Sequence, residues 1–137
     1  MKKVVTFKGA VMTWQCDSNR HMNVMYYVHK YEHAGRIFVI EMGLTKDFLD
    51  AHGYGVVVLE QNIKYLREVY EDDCLIIESS LLSIGNKAFT VFHEMYLLDT
   101  RELVSSTKIV SVLFDKTTRK AMPFPSELKR RIEQKMV

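Results

Sequence analysis

The feature that most constrains this chain is a change of hydrophobic period. Between Val24 and Met42 apolar side chains recur at three- and four-residue steps: Val24, Tyr27, Val28, Tyr31, Ala34, Phe38 and Met42. His29, Lys30, Glu32, His33 and Arg36 fall mostly between them. This is the pattern of an amphipathic helix of about twenty residues. Asn23 supplies an N-cap and Gly43 a stop. After Gly55 the chain turns β-rich in four long runs, Val56 to Arg67, Cys74 to Ile84, Lys87 to Leu98 and Leu103 to Phe114.

A helix of that length spans ~30 Å at its usual rise, and a strand of about eleven residues ~36 Å. One helix therefore fits along one sheet. Lys2 to Thr13 reads as a first strand, with Val5 and Phe7 alternating against Thr6 and Lys8. Gly85-Asn86 is a two-residue hairpin signal and Asp99 to Glu102 a polar turn, so consecutive strands are expected to pair as an antiparallel meander. A short second helix is expected from Thr45 to His52, ended by Gly53. Ser126 is expected to cap a last helix carrying Leu128, Ile132 and Met136 on one face. The expected class is α+β: one long helix wrapped by a curved five-stranded antiparallel sheet, with residues 1–137 as a single domain.

Composition narrows the functions. At 137 residues, 47% apolar and 26% charged, the chain is an ordinary globular protein whose one core suffices without disulfides or structural metal. A net charge of +2 is too balanced for sequence-independent binding to phosphate backbones, so no nucleic-acid partner is expected. No segment approaches the ~20 apolar residues of a membrane span. Two cysteines make no disulfide framework, and Lys8 breaks the apolar run of the opening MKKVVTFKGAVM, so a cytoplasmic location is expected. Edge strands and apolar positions left over by one helix call for a homodimer or homotetramer.

The joint between first strand and long helix, Trp14-Gln15-Cys16-Asp17-Ser18-Asn19-Arg20-His21-Met22-Asn23-Val24, concentrates the polar chemistry. Free N–H groups at a helix start, here around Val24 and Met25, form an anion site. A carboxylate nearby, Asp17, completes what attack on a carbonyl needs: a nucleophile or base, and donors for the developing negative charge. Residue chemistry alone equally accommodates a plain joint, with Asp17 as a turn residue and Asn23 as a cap.

The joint's D-x-N-x-H-M-N wording, Tyr26-Tyr27 and the long helix, followed by Asn62-Ile63-Lys64-Tyr65-Leu66-Arg67 and Asp72-Asp73, resemble the hotdog-fold acyl-CoA thioesterases of the 4-hydroxybenzoyl-CoA thioesterase type. The motif is especially similar to the betainyl-CoA thioesterase branch, and the resemblance covers about Val4 to Phe114. It implies that Asp17 is the catalytic carboxylate, attacking the thioester or activating a water, that the Val24 N–H polarises the thioester carbonyl, and that Asn23 orders the helix start. It further implies that Lys87 meets coenzyme A phosphates, that coenzyme A enters as part of the substrate, and that no metal or other cofactor is needed. Two positions depart from the family: Arg20 stands where many members have Gly, and Val24 where the benzoyl-specific enzymes carry an aromatic.

Other residues suggest lesser readings. His29 and His33 lie four apart and could share a metal, though no third ligand is evident. Cys16 could be a nucleophile with His21 as base, but neighbours on a strand face opposite ways, so Cys16 reads as wall or core. Tyr26, Tyr27 and Tyr31 read as packing, and Lys129-Arg130-Arg131 as a solvated helix face. Glu60 and His21 are the next candidates should Asp17 not carry the reaction. Three alternatives to an acyl-CoA hydrolase stay open: a thioesterase acting on acyl carrier protein, a non-catalytic acyl-CoA-binding domain, and a hydratase using His21.

Overall fold

The long helix forms where its spacing places it. In the computed structural model, which describes residues 1–137, α1 runs Val24–Glu41, and the Asn23 side chain accepts from the Met25 N–H as its cap. Gly43 follows the helix end at φ +96°, a left-handed backbone that favours glycine. β1 (Val4–Ala10) precedes it, α2 (Lys46–His52) and β2 (Tyr54–Tyr65) follow, and then come β3 (Cys74–Ile84), β4 (Ala88–Leu97), β5 (Leu103–Asp115), β6 (Lys120–Ala121) and α3 (Ser126–Met136). Thr45 caps α2 and Gly53 ends it, as expected.

The strand order is β1-β3-β4-β5-β2, with two-residue β6 added to β5. The meander expected of four consecutive strands holds only for β3, β4 and β5. β2 pairs antiparallel with β5 instead of β3, because β3 already has β1 and β4 as neighbours. The segment 66–73 serves as a strap rather than a hairpin: Val69 C=O accepts the Met22 N–H and Asp73 C=O the Val11 N–H. The β3–β4 turn has three residues, with Lys87 in the turn rather than on the strand, and the Gly85 N–H bonds Ala88 C=O at 2.7 Å.

Two further expectations are corrected. β1 is shorter than Lys2 to Thr13 and is bulged between Val5 and Phe7. The bulge turns Thr6 inward and leaves Val5 exposed, reversing the simple alternation. Ser126 is the first residue of α3 and makes no cap bond; Pro125 holds the cap position.

The core falls into two apolar clusters. One gathers Tyr27, Tyr31 and Ala34 of α1 against Leu75, Ile77, Met95 and Leu97. The other gathers Phe38 and Met42 against Leu81, Phe89, Val91, Leu113 and the Leu128, Ile132, Met136 face of α3. Removing a side chain as buried as Phe38 typically costs ~3–5 kcal/mol. α1 lies over β1, β3 and β4. The inner faces of β5 and β2 therefore have no helix above them, and Val24 and Val28, on the predicted stripe, stay exposed.

Candidate active site

At the joint, the polar residues bond to one another in a closed set. Asp17 Oδ2 accepts from Asn23 Nδ2 at 3.0 Å, and Oδ1 from the Asn19 N–H at 2.9 Å. Asn23 Oδ1 accepts the Met25 N–H at 3.0 Å, and the Tyr26 N–H goes to Asn23 C=O. The expectation of free donors around both Val24 and Met25 thus resolves onto Val24, because the cap consumes the Met25 N–H. Asp17, Asn23 and Val24 are brought together as the sequence suggested. The bonds from Asn23 and Asn19, with a smaller contribution from the His21 charge, hold the Asp17 carboxyl below the ordinary carboxylate range.

The joint is clamped from behind. Asn23 donates its N–H to Gln15 C=O at 2.8 Å, and the Gln15 side chain accepts from Lys30 Nζ at 3.2 Å and from the Met12 N–H at 3.0 Å. Lys30 is buried with no carboxylate partner, its Nζ 5.2 Å from the Phe7 ring centroid, and desolvation lowers its pKa. Arg20 adopts φ +66°, which explains why glycine suits that position. A cavity of about 310 Å³ opens beside the helix start, lined by His21, Val24, Tyr27, Tyr65, Arg67 and Glu68 among others.

Other candidates are placed elsewhere. Lys87 is exposed at the Ile84 end of β3, ten residues and ~33 Å along that strand from the Cys74 end near the joint. Within one chain it does not share a pocket with Asp17. Glu60 is exposed on β2, five residues or ~16 Å before Tyr65. Cys16 is half-buried against the first cluster, as expected of a wall residue. His29 and His33 rings lie 4.7 Å apart, and no group of three His, Cys, Asp or Glu comes together anywhere to hold a metal. Arg130 pairs with Glu127 on the surface of α3.

The sequence model of the thioesterase-like superfamily matches residues 11–132. The chain belongs to that superfamily. Its fold agrees: a variant of 4-hydroxybenzoyl-CoA thioesterase in complex with 4-hydroxybenzoyl-CoA superposes with a TM-score of 0.85 at 16% identity, over 96% of this chain and 99% of that one. Two characterised relatives are similar along nearly the whole length. The long-chain acyl-CoA thioesterase FadM of Escherichia coli is 28% identical over 90% of this chain and 93% of its own. Betainyl-CoA thioesterase of Pseudomonas aeruginosa is 22% identical over 95% of this chain and 82% of its own. This thioesterase-family chain therefore has the hotdog architecture and belongs with the thioester hydrolases.

One part of this thioesterase fold escaped the sequence reading. Between the two apolar clusters a buried polar row crosses the sheet: Thr6, Ser79, His93 and Thr107. Thr6 Oγ1 and Ser79 Oγ are 2.7 Å apart, and Ser79 Oγ bonds His93 Nδ1. Burial pushes His93 down to about 4, so its ring is neutral near pH 7. His93 Nε2 and Thr107 Oγ1 have no protein partner. The signal was present in β4, where Phe89, Val91, His93, Met95 and Leu97 occupy the buried positions of an unbroken alternation.

Proposed function

We propose that this chain hydrolyses an acyl-CoA thioester at the α1 joint. The observation that carries the reading is the division of labour at Asn23. Its amide donates to Asp17 and its carbonyl oxygen takes the Met25 N–H, so one residue fixes the carboxylate beside the remaining donor, the Val24 N–H. A thioester oxygen against that N–H would gain the helix-end field as negative charge develops. Asp17 then either attacks the carbonyl carbon, expelling coenzyme A as thiolate and forming an acyl anhydride that water cleaves, or takes a proton from the attacking water. A thioester carbonyl is electrophilic enough that the step calls for no metal or redox cofactor. The relatives, themselves acyl-CoA thioesterases, support this class of substrate.

The reading treats residues 1–137 as a single thioesterase domain, since every element packs on the one sheet. It includes a homodimer or homotetramer: β2 is an edge strand with Val57, Val58 and Leu59 exposed, an unprotected pairing edge. A second copy would also have to supply the Lys87 that meets coenzyme A phosphates. Free Cys16 and Cys74 suit a reducing, cytoplasmic setting, and no helix is long and apolar enough to cross a membrane.

The test is thiol release from a panel of acyl-CoAs by purified protein. Turnover of any member supports the reading. Tight binding without turnover points to an acyl-CoA-binding domain, and activity only on acyl carrier protein substrates moves the thiol carrier. A single turnover in heavy-oxygen water separates the two roles of Asp17, because direct attack leaves the label in its carboxylate.

A further inference from the structure

The cavity under the middle of α1 carries a specific substrate preference. It measures about 200 Å³ and lies between α1 and strands β2, β4 and β5. Most of its lining is apolar, including Val39, Val56, Val91 and Ile109, with His93 as the buried polar exception. It continues the helix stripe that begins at the joint: Val24, Tyr27, Tyr31, Gly35 and Val39 succeed one another at three- and four-residue steps. From Val24 to Tyr31 is ~10 Å along the axis and to Gly35 ~16 Å. An acyl chain with its carbonyl at the Val24 N–H can run along this stripe into the cavity.

Gly35 helps to open it. A glycine inside a helix costs roughly 0.5–1 kcal/mol relative to alanine, and a Cβ built there would meet no atom within 4 Å. Packing within the chain does not demand this glycine. Its effect is to leave room beside His93.

His93 sets what the cavity accepts. Its Nδ1 is tied back to Ser79 on β3, so Nε2 is on the ring's far side, and Thr107, its register partner on β5, has the second unpartnered polar atom. A buried polar group left unpaired costs about 1–3 kcal/mol. Which ring nitrogen carries the hydrogen depends on the direction of the Ser79 bond. If the Ser79 hydroxyl donates to Nδ1, then Nε2 is a donor; if Nδ1 donates to Ser79, then Nε2 is an acceptor. A hydroxyl group, donor and acceptor at once, pairs with Nε2 in either state. Building on the thioesterase reading, we propose that this cavity binds the distal part of a medium-length acyl chain and selects one bearing a hydroxyl, held by His93 Nε2.

The test compares kcat/KM for ω-hydroxydecanoyl-CoA and decanoyl-CoA. The wild-type protein is expected to favour the hydroxylated substrate at least about tenfold, as polar-matched sites do. His93→Leu is expected to abolish that ratio, and His93→Gln, which keeps a hydrogen-bonding group, to retain part of it. Gly35→Leu, which fills the cavity from the helix side, is expected to lower both decanoyl substrates relative to butyryl-CoA. A wild-type ratio near one overturns the hydroxyl preference without any variant, and shows that solvent alone satisfies Nε2. An unchanged decanoyl-to-butyryl ratio in Gly35→Leu overturns the cavity as the acyl site. Hydrolysis of none of the three by wild-type protein overturns this proposal and counts against the thioesterase reading as well, whereas hydrolysis without discrimination overturns this proposal alone.

Discussion

The two ends of the proposed substrate path along α1 are built by opposite means. At the N-terminal joint, Asp17 is only half-buried, and its partners Asn19 and Asn23 lie two and six residues away in the chain. Under the middle of the helix, His93 is 1% exposed and its partner Ser79 comes from another strand. The joint is local, solvated and charged. The cavity is assembled from distant segments, and its polar group is neutral. A charged group that must change during reaction is cheapest to keep near water, whereas a neutral one that only recognises can be buried if its bonds are made.

The largest expected effect tests the exposed end. Asp17→Asn keeps shape while removing charge and basicity, so kcat is expected to fall at least ~10²-fold with KM little changed. Retention of more than about a tenth of wild-type kcat would transfer the chemistry to Glu60 or His21 and dissolve the contrast between the two ends.

The next tests the buried end through pH. His93 resists protonation when folded, with its pKa moved from 6.5 to about 4, whereas the unfolded chain takes up the proton near the ordinary value. Stability is therefore fully present above pH 6.5 and declines as pH falls toward 4. At pH 5 the loss for this group is about 2 kcal/mol. Urea denaturation at pH 7.5 and pH 5 is expected to show that loss in wild-type protein and not in His93→Gln. An equal loss in both would mean that other groups carry the acid sensitivity.

A smaller effect sharpens the coupling within the joint. Asn23→Ala removes a cap worth about 1 kcal/mol, which thermal unfolding reads directly. It also removes the main cause of the lowered Asp17 pKa. Because the ionised carboxylate is the active form, the acid limb of kcat/KM is expected to move to higher pH in the variant. An unmoved limb would show that Asp17 is not the group being titrated.

The smallest concerns neither end. Lys87→Glu is expected to raise KM a few-fold without lowering kcat, since a remote phosphate contact acts as uniform binding. The effect should fade at high ionic strength if the contact is exposed. An unchanged KM at low salt places the phosphate contact elsewhere.

Sequence alone determined the parts of this protein whose partners are near in the chain. The α1 stripe, the Asn23, Thr45 and Gly53 caps and the grouping of Asp17 with Asn23 and Val24 all depend on neighbours a few residues away. Local spacing encodes them directly. Tertiary structure decided the rest. β2 left the expected meander for β5 because β1 occupies the free edge of β3, and no pattern inside β2 records which edge is vacant. Thr6 turned inward through a bulge that only pairing with β3 imposes. His93 is visible in the alternation of β4 as an inward residue. Its bond to Ser79, its unpartnered Nε2 and the cavity beside it exist only once four strands and a helix are stacked, because hydrogen-bond partners and free volume belong to the packed arrangement and not to any one segment.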